Sequence, residues 1–249
     1  MEKIIHSFLL IGQSNMAGRG DPADVEPIDN PDIKVLRNGR WQKMYVPVNC
    51  DRKRSGTCLA ESFADLYQKE HGVEVGLIPC ADGGTRLEQW EKGSLLYDNA
   101  VFQTKQARRT STLVGVLWHQ GESDCKDERW VNYGERFRIF LRDLRKDLEL
   151  DDVPFIVGEL GAYLKEFSEW GQYYGKINEV LHEVTAQDPM MECVSSEGLT
   201  CKPDLLHFDS KSLRAFGVRY YEAFKKIEVR DRVFVPKEQG AKRTAIEEL

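Results

Sequence analysis

The stretch Ser7-Phe8-Leu9-Leu10-Ile11-Gly12-Gln13-Ser14-Asn15-Met16-Ala17-Gly18 decides how the rest of the chain is read. An unbroken apolar run stops at a glycine, and small or polar residues follow. A short apolar run closed by a turn signal predicts a strand buried on both faces, as in a parallel sheet. Ser14 then stands just past the strand's carboxyl end, the edge where open α/β sheets gather ligands and catalytic groups. A serine hydroxyl is a weak nucleophile until a base and an anion site stand beside it. Both have to come from later in the chain.

The same strand-then-turn pattern recurs. Val73 to Cys80 predicts a buried strand followed by Ala81-Asp82-Gly83-Gly84-Thr85-Arg86. Leu113 to Trp118 predicts another, followed by His119-Gln120-Gly121-Glu122-Ser123-Asp124, and Val153 to Leu160 a further one. Helical spacing lies between them. Leu59, Phe63, Leu66 and Tyr67 share one face of a segment from Cys58 to Glu70, with Gly72 placed to stop it. Trp130, Tyr133, Phe137, Phe140, Leu141, Leu144 and Leu148 form a core-facing stripe, and residues 168–185 predict another helix. The last helix carries Leu213, Phe216, Tyr220 and Phe224, with Asp209 or Ser210 as its N-cap. Ile33 to Leu36 and Trp41 to Val46 flank Asn38-Gly39 as a hairpin, and the Gly-, Pro- and Asp-rich residues 18–32 predict a loop over the active-site edge. This alternation predicts an α/β fold: one doubly wound, flavodoxin-like, mainly parallel sheet with helices on both faces. With no repeat and no low-complexity linker, residues 1–229 form one domain and 230–249 a charged tail.

Composition narrows the partners. The 249 residues carry a net charge of −6 with 41% apolar and 31% charged residues, as in a chain that buries a substantial core. No basic stripe marks a nucleic-acid surface, and no apolar run approaches the roughly 18 residues that span a bilayer. The apolar run after Ser7 is too short for a signal peptide, so a cytoplasmic location is expected. Oligomeric state is not fixed by the sequence. Cys50, Cys58, Cys80, Cys125, Cys193 and Cys201 contain no C-x-x-C pair and read as free, mostly buried thiols. A Cys50–Cys58 or Cys193–Cys201 bridge stays open if the protein is exported.

Three polar turns thus stand at the ends of strands that lie side by side, and a fourth piece, Asp204-Leu205-Leu206-His207, precedes the last helix. An Asp and a His three apart on a turn can fold together, the carboxylate fixing the imidazole tautomer so that its other nitrogen takes the serine proton. Acyl transfer also needs donors for an oxyanion. The backbone N–H groups of Ser14 and of Gly83 or Gly84, with the side-chain amide of Gln120, are the candidates.

Together the four blocks resemble the SGNH/GDSL hydrolase superfamily, and within it the carbohydrate esterase branch of acetylxylan esterases and sialate O-acetylesterases. The motifs G-Q-S-N-M, G-G-T, H-Q-G-E-x-D and D-x-x-H occur here in order, from Gly12 to His207. The resemblance implies Ser14 as nucleophile, His207 as base and Asp204 as orienting acid. It places Ser14, a glycine of the second block and Gln120 at the oxyanion hole, Gln120 standing where the wider superfamily has asparagine. In some relatives a glutamate of the third block is the acid, which makes Glu122 the alternative. The resemblance further implies a small acyl pocket, an acetylated carbohydrate as substrate and no metal or organic cofactor.

Each residue also has a plainer explanation. A serine after a strand is usually a turn residue or cap, and a glycine pair is usually only a turn; the other blocks outweigh that here. His119 reads as structural, His6 and His182 as incidental. Gln13, Asn15, Arg86 and Trp90 are candidate substrate contacts, the last two by charge pairing and stacking. For Arg86 and Trp90, an ion pair with Glu88 or Glu91 and a packed ring are equally good explanations. Two rival functions remain: a metal-dependent hydrolase using His119, Glu122, Asp124, Asp204 and His207, and a non-catalytic carbohydrate-binding protein on the same fold. The first lacks a recognised ligand spacing such as H-E-x-x-H.

Overall fold

A computed structural model describes residues 5–228; the charged segment 230–249 lies outside the described residues. In chain order the elements are β1 (Ile5–Gly12), α1 (Ser14–Ala17), β2 (Ile33–Arg37), β3 (Arg40–Lys43), α2 (Leu59–His71), β4 (Glu74–Pro79) and α3 (Leu95–Ala107). There follow β5 (Thr112–His119), α4 (Tyr133–Leu148), β6 (Phe155–Gly158), α5 (Leu164–Phe167), α6 (Tyr174–Ala186), β7 (Met191–Val194) and α7 (Ser210–Glu228).

The strands form one sheet in the order β3-β2-β4-β1-β5-β6-β7. Only the β2–β3 hairpin is antiparallel, and Asn38 and Gly39 turn it with φ of 52° and 73°. Without that hairpin, β4-β1-β5-β6-β7 is the flavodoxin-like order, and the chain reverses its direction of winding at β1. Side chains along β1 alternate between the two layers. Phe8 and Leu10 pack with α2 and α7, where Phe8 meets Phe63 and Tyr67 edge-on, each at 4.8 Å. Leu9 and Ile11 face the layer of α3, α4 and α6 around Trp118 and Phe140. β1 is therefore wet on neither side, which is why its sequence is a continuous apolar run.

Helix ends follow the local chemistry. Gly72 closes α2 at φ 64°, and Asp209 caps α7, its Oδ1 accepting from the Ser212 N–H at 2.8 Å. Two expectations shift. The helix expected over residues 168–185 begins at Tyr174, after a separate turn at α5 and a 3-10 turn over Glu169–Tyr173, and Trp130 precedes α4 in its own 3-10 turn. Four elements have no counterpart among the expectations: the short helices α1 and α5, the longer α3 and the edge strand β7. All six cysteines are free thiols, three of them fully buried. Among the described residues no helix is long and apolar enough to cross a membrane.

At the switch point the turns after β1, β4 and β5 are tied to one another. The Gln13 N–H donates to the His119 carbonyl at 2.8 Å, and the Asp82 N–H donates to the Gly12 carbonyl at 3.0 Å. Gly12 sits at φ 126°, and a Cβ there would lie 2.1 Å from the His119 carbonyl oxygen. Only glycine lets the first turn press this closely on the end of β5.

Candidate active site

Ser14 is the first residue of α1, at the carboxyl end of β1. Its Oγ lies 3.0 Å from His207 Nε2, and His207 Nδ1 lies 2.8 Å from Asp204 Oδ2. The other Asp204 oxygen accepts from the Leu206 and His207 N–H groups, both at 3.0 Å, so the carboxylate folds its own turn around itself. Leu205 takes a left-handed φ of 55° to close that turn. Partial burial works to raise the Asp204 carboxyl, but the hydrogen bonds from His207 and Leu206 outweigh it and hold the group below the usual carboxylate range. With Nδ1–H committed to Asp204, the bare Nε2 faces the serine hydroxyl and can take its proton. Glu122, the alternative acid, does not contact His207. Its Oε1 accepts from Asn15 at 2.5 Å and lies 3.5 Å from His119 Nδ1.

The oxyanion donors need correcting. The Gly83 N–H is already spent on Asp51 Oδ2 at 2.8 Å. Asp51 in turn takes two hydrogen bonds from Arg19, at 3.1 and 2.6 Å, and one from Ser55 at 2.8 Å. Burial pushes the Asp51 carboxyl up, yet these donors, Arg19 first, bring it below its ordinary value. Gly84, at φ 78°, keeps its N–H without an acceptor among the described residues, and so does Ser14 at the open first turn of α1.

Gln120 is also excluded. It is fully buried and off the cavity, and its amide donates to Asp124, Thr85 and Gln13 while its Oε1 accepts from Tyr133. No donor is left for a ligand. Gln13 takes its place on the cavity wall. Its Oε1 accepts from Gly121 N, Ser123 N and Gln120 Nε2 at 3.3–3.4 Å, which fixes the amide orientation and leaves Nε2 without a partner among the described residues.

The other expected substrate contacts do not reach the cavity either. Trp90 is fully buried, its indole N–H on Thr85 and its ring edge-on to Trp118. Arg86 pairs with Glu88 at 2.8 Å on the surface. Asn15 is buried and faces inward to the His207 loop. His119 lies beneath that loop between Phe208 and Phe216, its Nε2 on the Glu159 carbonyl, and burial lowers its pKa. Of the five residues of the metal alternative, Asp124 holds Gln120 and the Leu87 N–H while Asp204 holds His207, and among the described residues no three His, Cys, Asp or Glu side chains gather to hold a metal ion.

A cavity of about 550 Å³ opens above Ser14 and His207. Its lining includes Arg52, Lys53 and Arg54 as well as Phe167 and Trp170, whose rings meet edge-on at 5.2 Å. Arg52 is held by Asp82 at 2.6 Å, whereas Lys53 and Arg54 have no carboxylate partner among the described residues. The sequence points to loops 18–32, 42–57, 81–97 and 161–170 as the place of specificity, and these hold the wall residues, Arg19 and Asp51, none of which it marks individually. The run Asp51-Arg52-Lys53-Arg54 was the one visible sign, a charged cluster inside a loop between two apolar segments.

A mainly parallel α/β sheet with these four blocks at its carboxyl edge defines an SGNH-like hydrolase fold. The chain belongs to the carbohydrate esterase family described as sialic acid-specific acetylesterase, which matches residues 5–226. It is 30% identical over 244 residues to a probable carbohydrate esterase of Arabidopsis thaliana, covering 87% of this chain and 89% of that one. The crystal structure of the Arabidopsis protein superposes with a TM-score of 0.81 at 29% identity, over 90% of this chain and 99% of that one. The fold is shared with NanS (TM-score 0.72, 17% identity, 92% and 99% covered). It is shared too with a carbohydrate acetylesterase of Xanthomonas citri (TM-score 0.68, 18% identity, 92% and 57% covered).

Proposed function

We propose that this chain is a serine esterase that removes O-acetyl groups from a carbohydrate through an acetyl-enzyme on Ser14. The observation that carries it is the alignment of Ser14 Oγ, His207 and Asp204 at 3.0 and 2.8 Å. Ser14 Oγ bonds to the acetyl carbonyl carbon as its proton passes to His207 Nε2. The N–H groups of Ser14 and Gly84 and the Gln13 amide are the donors offered to the developing oxyanion in this reading. Collapse breaks the bond to the sugar oxygen, which leaves with the proton from His207. Water then repeats the attack with His207 as base, freeing acetate and Ser14.

The cavity walls favour a substrate with an acidic group. Lys53 and Arg54, without a carboxylate partner among the described residues, supply positive charge, and Phe167 and Trp170 supply aromatic rings suited to a sugar ring. The family description points the same way, so acetylated sialic acid is favoured over neutral acetylated xylan.

Acetate release from both substrates by wild type and Ser14→Ala tests this, together with labelling by a serine-directed organophosphate. Wild type should prefer the acidic sugar, label on Ser14 and lose turnover in the variant. Turnover by Ser14→Ala would refute the mechanism. Inactivation by a chelator without any label would favour the metal alternative, and sugar binding without turnover the non-catalytic one.

A further inference from the structure

Glu122 is a fully buried carboxylate to which the mechanism gives no work. Its Oε1 accepts from Asn15 Nδ2 at 2.5 Å, and its Oε2 has no hydrogen-bond partner among the described residues. Asn15 directly follows the nucleophile. Its Nδ2 also reaches the Leu206 carbonyl at 3.3 Å, and its Oδ1 accepts from the Phe208 N–H at 3.0 Å. One side chain beside Ser14 therefore grips the backbone immediately before and immediately after His207.

We propose that Asn15 is a positioning residue that sets the Ser14–His207 distance, and that Glu122 acts through it by fixing the orientation of its amide. The inference rests on Ser14 and His207 being the reacting pair. An asparagine amide has nearly the same shape either way round, so its neighbours must choose. Here Glu122 and the Leu206 carbonyl both demand a donor, and the Phe208 N–H demands an acceptor. Reversing the amide would set oxygen against a carboxylate and a carbonyl, and NH₂ against N–H. Only the observed orientation satisfies all three. The grip spans 193 residues of sequence between Asn15 and Phe208, joining the first turn of the fold to the loop before α7.

The charge of Glu122 is not what this role needs. His119 donates from Nε2 to the Glu159 carbonyl, so its neutral ring leaves Nδ1 bare, facing Glu122 Oε1 at 3.5 Å. A glutamine at 122 can still offer its oxygen to Asn15 Nδ2. It keeps the acceptor and removes the charge, whereas alanine removes both.

The test uses a small activated acetyl ester, whose turnover does not depend on sugar contacts. We expect Asn15→Ala to lower kcat about ten- to a hundredfold, the cost of misplacing a reacting group by a fraction of an ångström to one ångström. KM should change less than about twofold, because uniform binding is untouched. Glu122→Ala should lose a similar factor, and Glu122→Gln should recover to within about threefold of wild type. Asn15→Ala/Glu122→Ala should be no worse than Asn15→Ala alone, since the two act as one unit. Thermal unfolding of each variant reports whether it is folded, and Glu122→Gln, which preserves shape and bonding, is the decisive variant should either alanine fail to fold. The clamp is overturned if Asn15→Ala matches wild type, if the two alanine effects multiply, or if Glu122→Gln is as damaging as Glu122→Ala. The Ser14→Ala control separates the two levels: turnover in that variant removes the reading beneath the clamp, while an inactive control with normal Asn15→Ala removes only the clamp.

Discussion

Asp51→Ala probes how the second glycine turn is held. The Asp51 carboxylate accepts from Arg19 twice, from Ser55 and from the Gly83 N–H, and both charged side chains are only 4% exposed. Removing it strands the Arg19 guanidinium in the interior, which costs about 3–5 kcal/mol for a buried pair broken on one side. At about 2–4 °C per kcal/mol for a chain of this size, Tm should fall by roughly 6–20 °C. Activity should fall as well, because an untied Gly83 lets the Gly84 N–H drift from the oxyanion; losing one such donor costs about 10²–10³ in kcat. The double variant Arg19→Met/Asp51→Leu separates the two effects. Replacing a buried ion pair by apolar side chains is often neutral or stabilising, so Tm should recover while kcat stays low. Thermal unfolding and acetyl-ester hydrolysis check both. A double variant that regains kcat, or Asp51→Ala with unchanged kcat and Tm, would refute the tether.

Two further outcomes follow from the same geometry. Asp204→Asn should lower kcat by about 10²–10³ with little change in KM, less than the roughly 10⁴ known for a fully buried acid, because Asp204 is 39% exposed and water replaces part of its role. Hydrolysis kinetics check this, and Glu122→Gln proving the more damaging would move the acid to Glu122. Stability should fall on acidification from pH 7. His119 and His6 are both lowered by burial, so the unfolded chain binds their protons first. Unfolding free energy should then drop by up to about 1.4 kcal/mol per pH unit per histidine below its unfolded value near 6.5. Asp51 and Asp204, held low when folded, add loss of the same sign only below about pH 4. Denaturant titrations at pH 7, 6 and 5 measure the slope, which His119→Gln should reduce; an unchanged slope in that variant would refute the assignment.

Much of the fold was legible because burial on both faces leaves a plain trace. β1, β4 and β5 are continuous apolar runs ended by glycine or polar turns, and α4 and α7 carry single apolar stripes. Among the unanticipated elements, α3 and β7 leave no such trace. α3 exposes Leu95 and Phe102 while burying Thr104, which blurs its helical period. β7 is four residues long at the sheet edge with Glu192 and Cys193 half exposed, so it shows neither alternation nor an apolar run. The helix over 168–185 starts late because Gly171 lies against the Leu164 carbonyl, where a Cβ would stand 1.8 Å away. That close packing belongs to the folded loop and has no sequence period.

The site divides along another line. A nucleophile, a base and an acid each require a particular side-chain type, so Ser14, His207 and Asp204 can be proposed for those roles from spacing, and in the structure the three side chains meet. Main-chain donors carry no such label. Gly83 and Gly84 are equivalent as letters, and what distinguishes them is a carboxylate at Asp51, 32 residues away, that captures one N–H and leaves the other. The same holds for the two amides. Gln120 sits in the expected block but is consumed by Asp124, Thr85 and Tyr133, and its captured amide in turn helps to hold the Gln13 oxygen and so frees Gln13 Nε2. A sequence records which groups are able to donate; which of them still has a donor to offer is settled only after every buried acceptor has been satisfied. Assigning an oxyanion hole is therefore a subtraction over the folded structure, and the block that a motif highlights can be the one that supports the donor instead of supplying it.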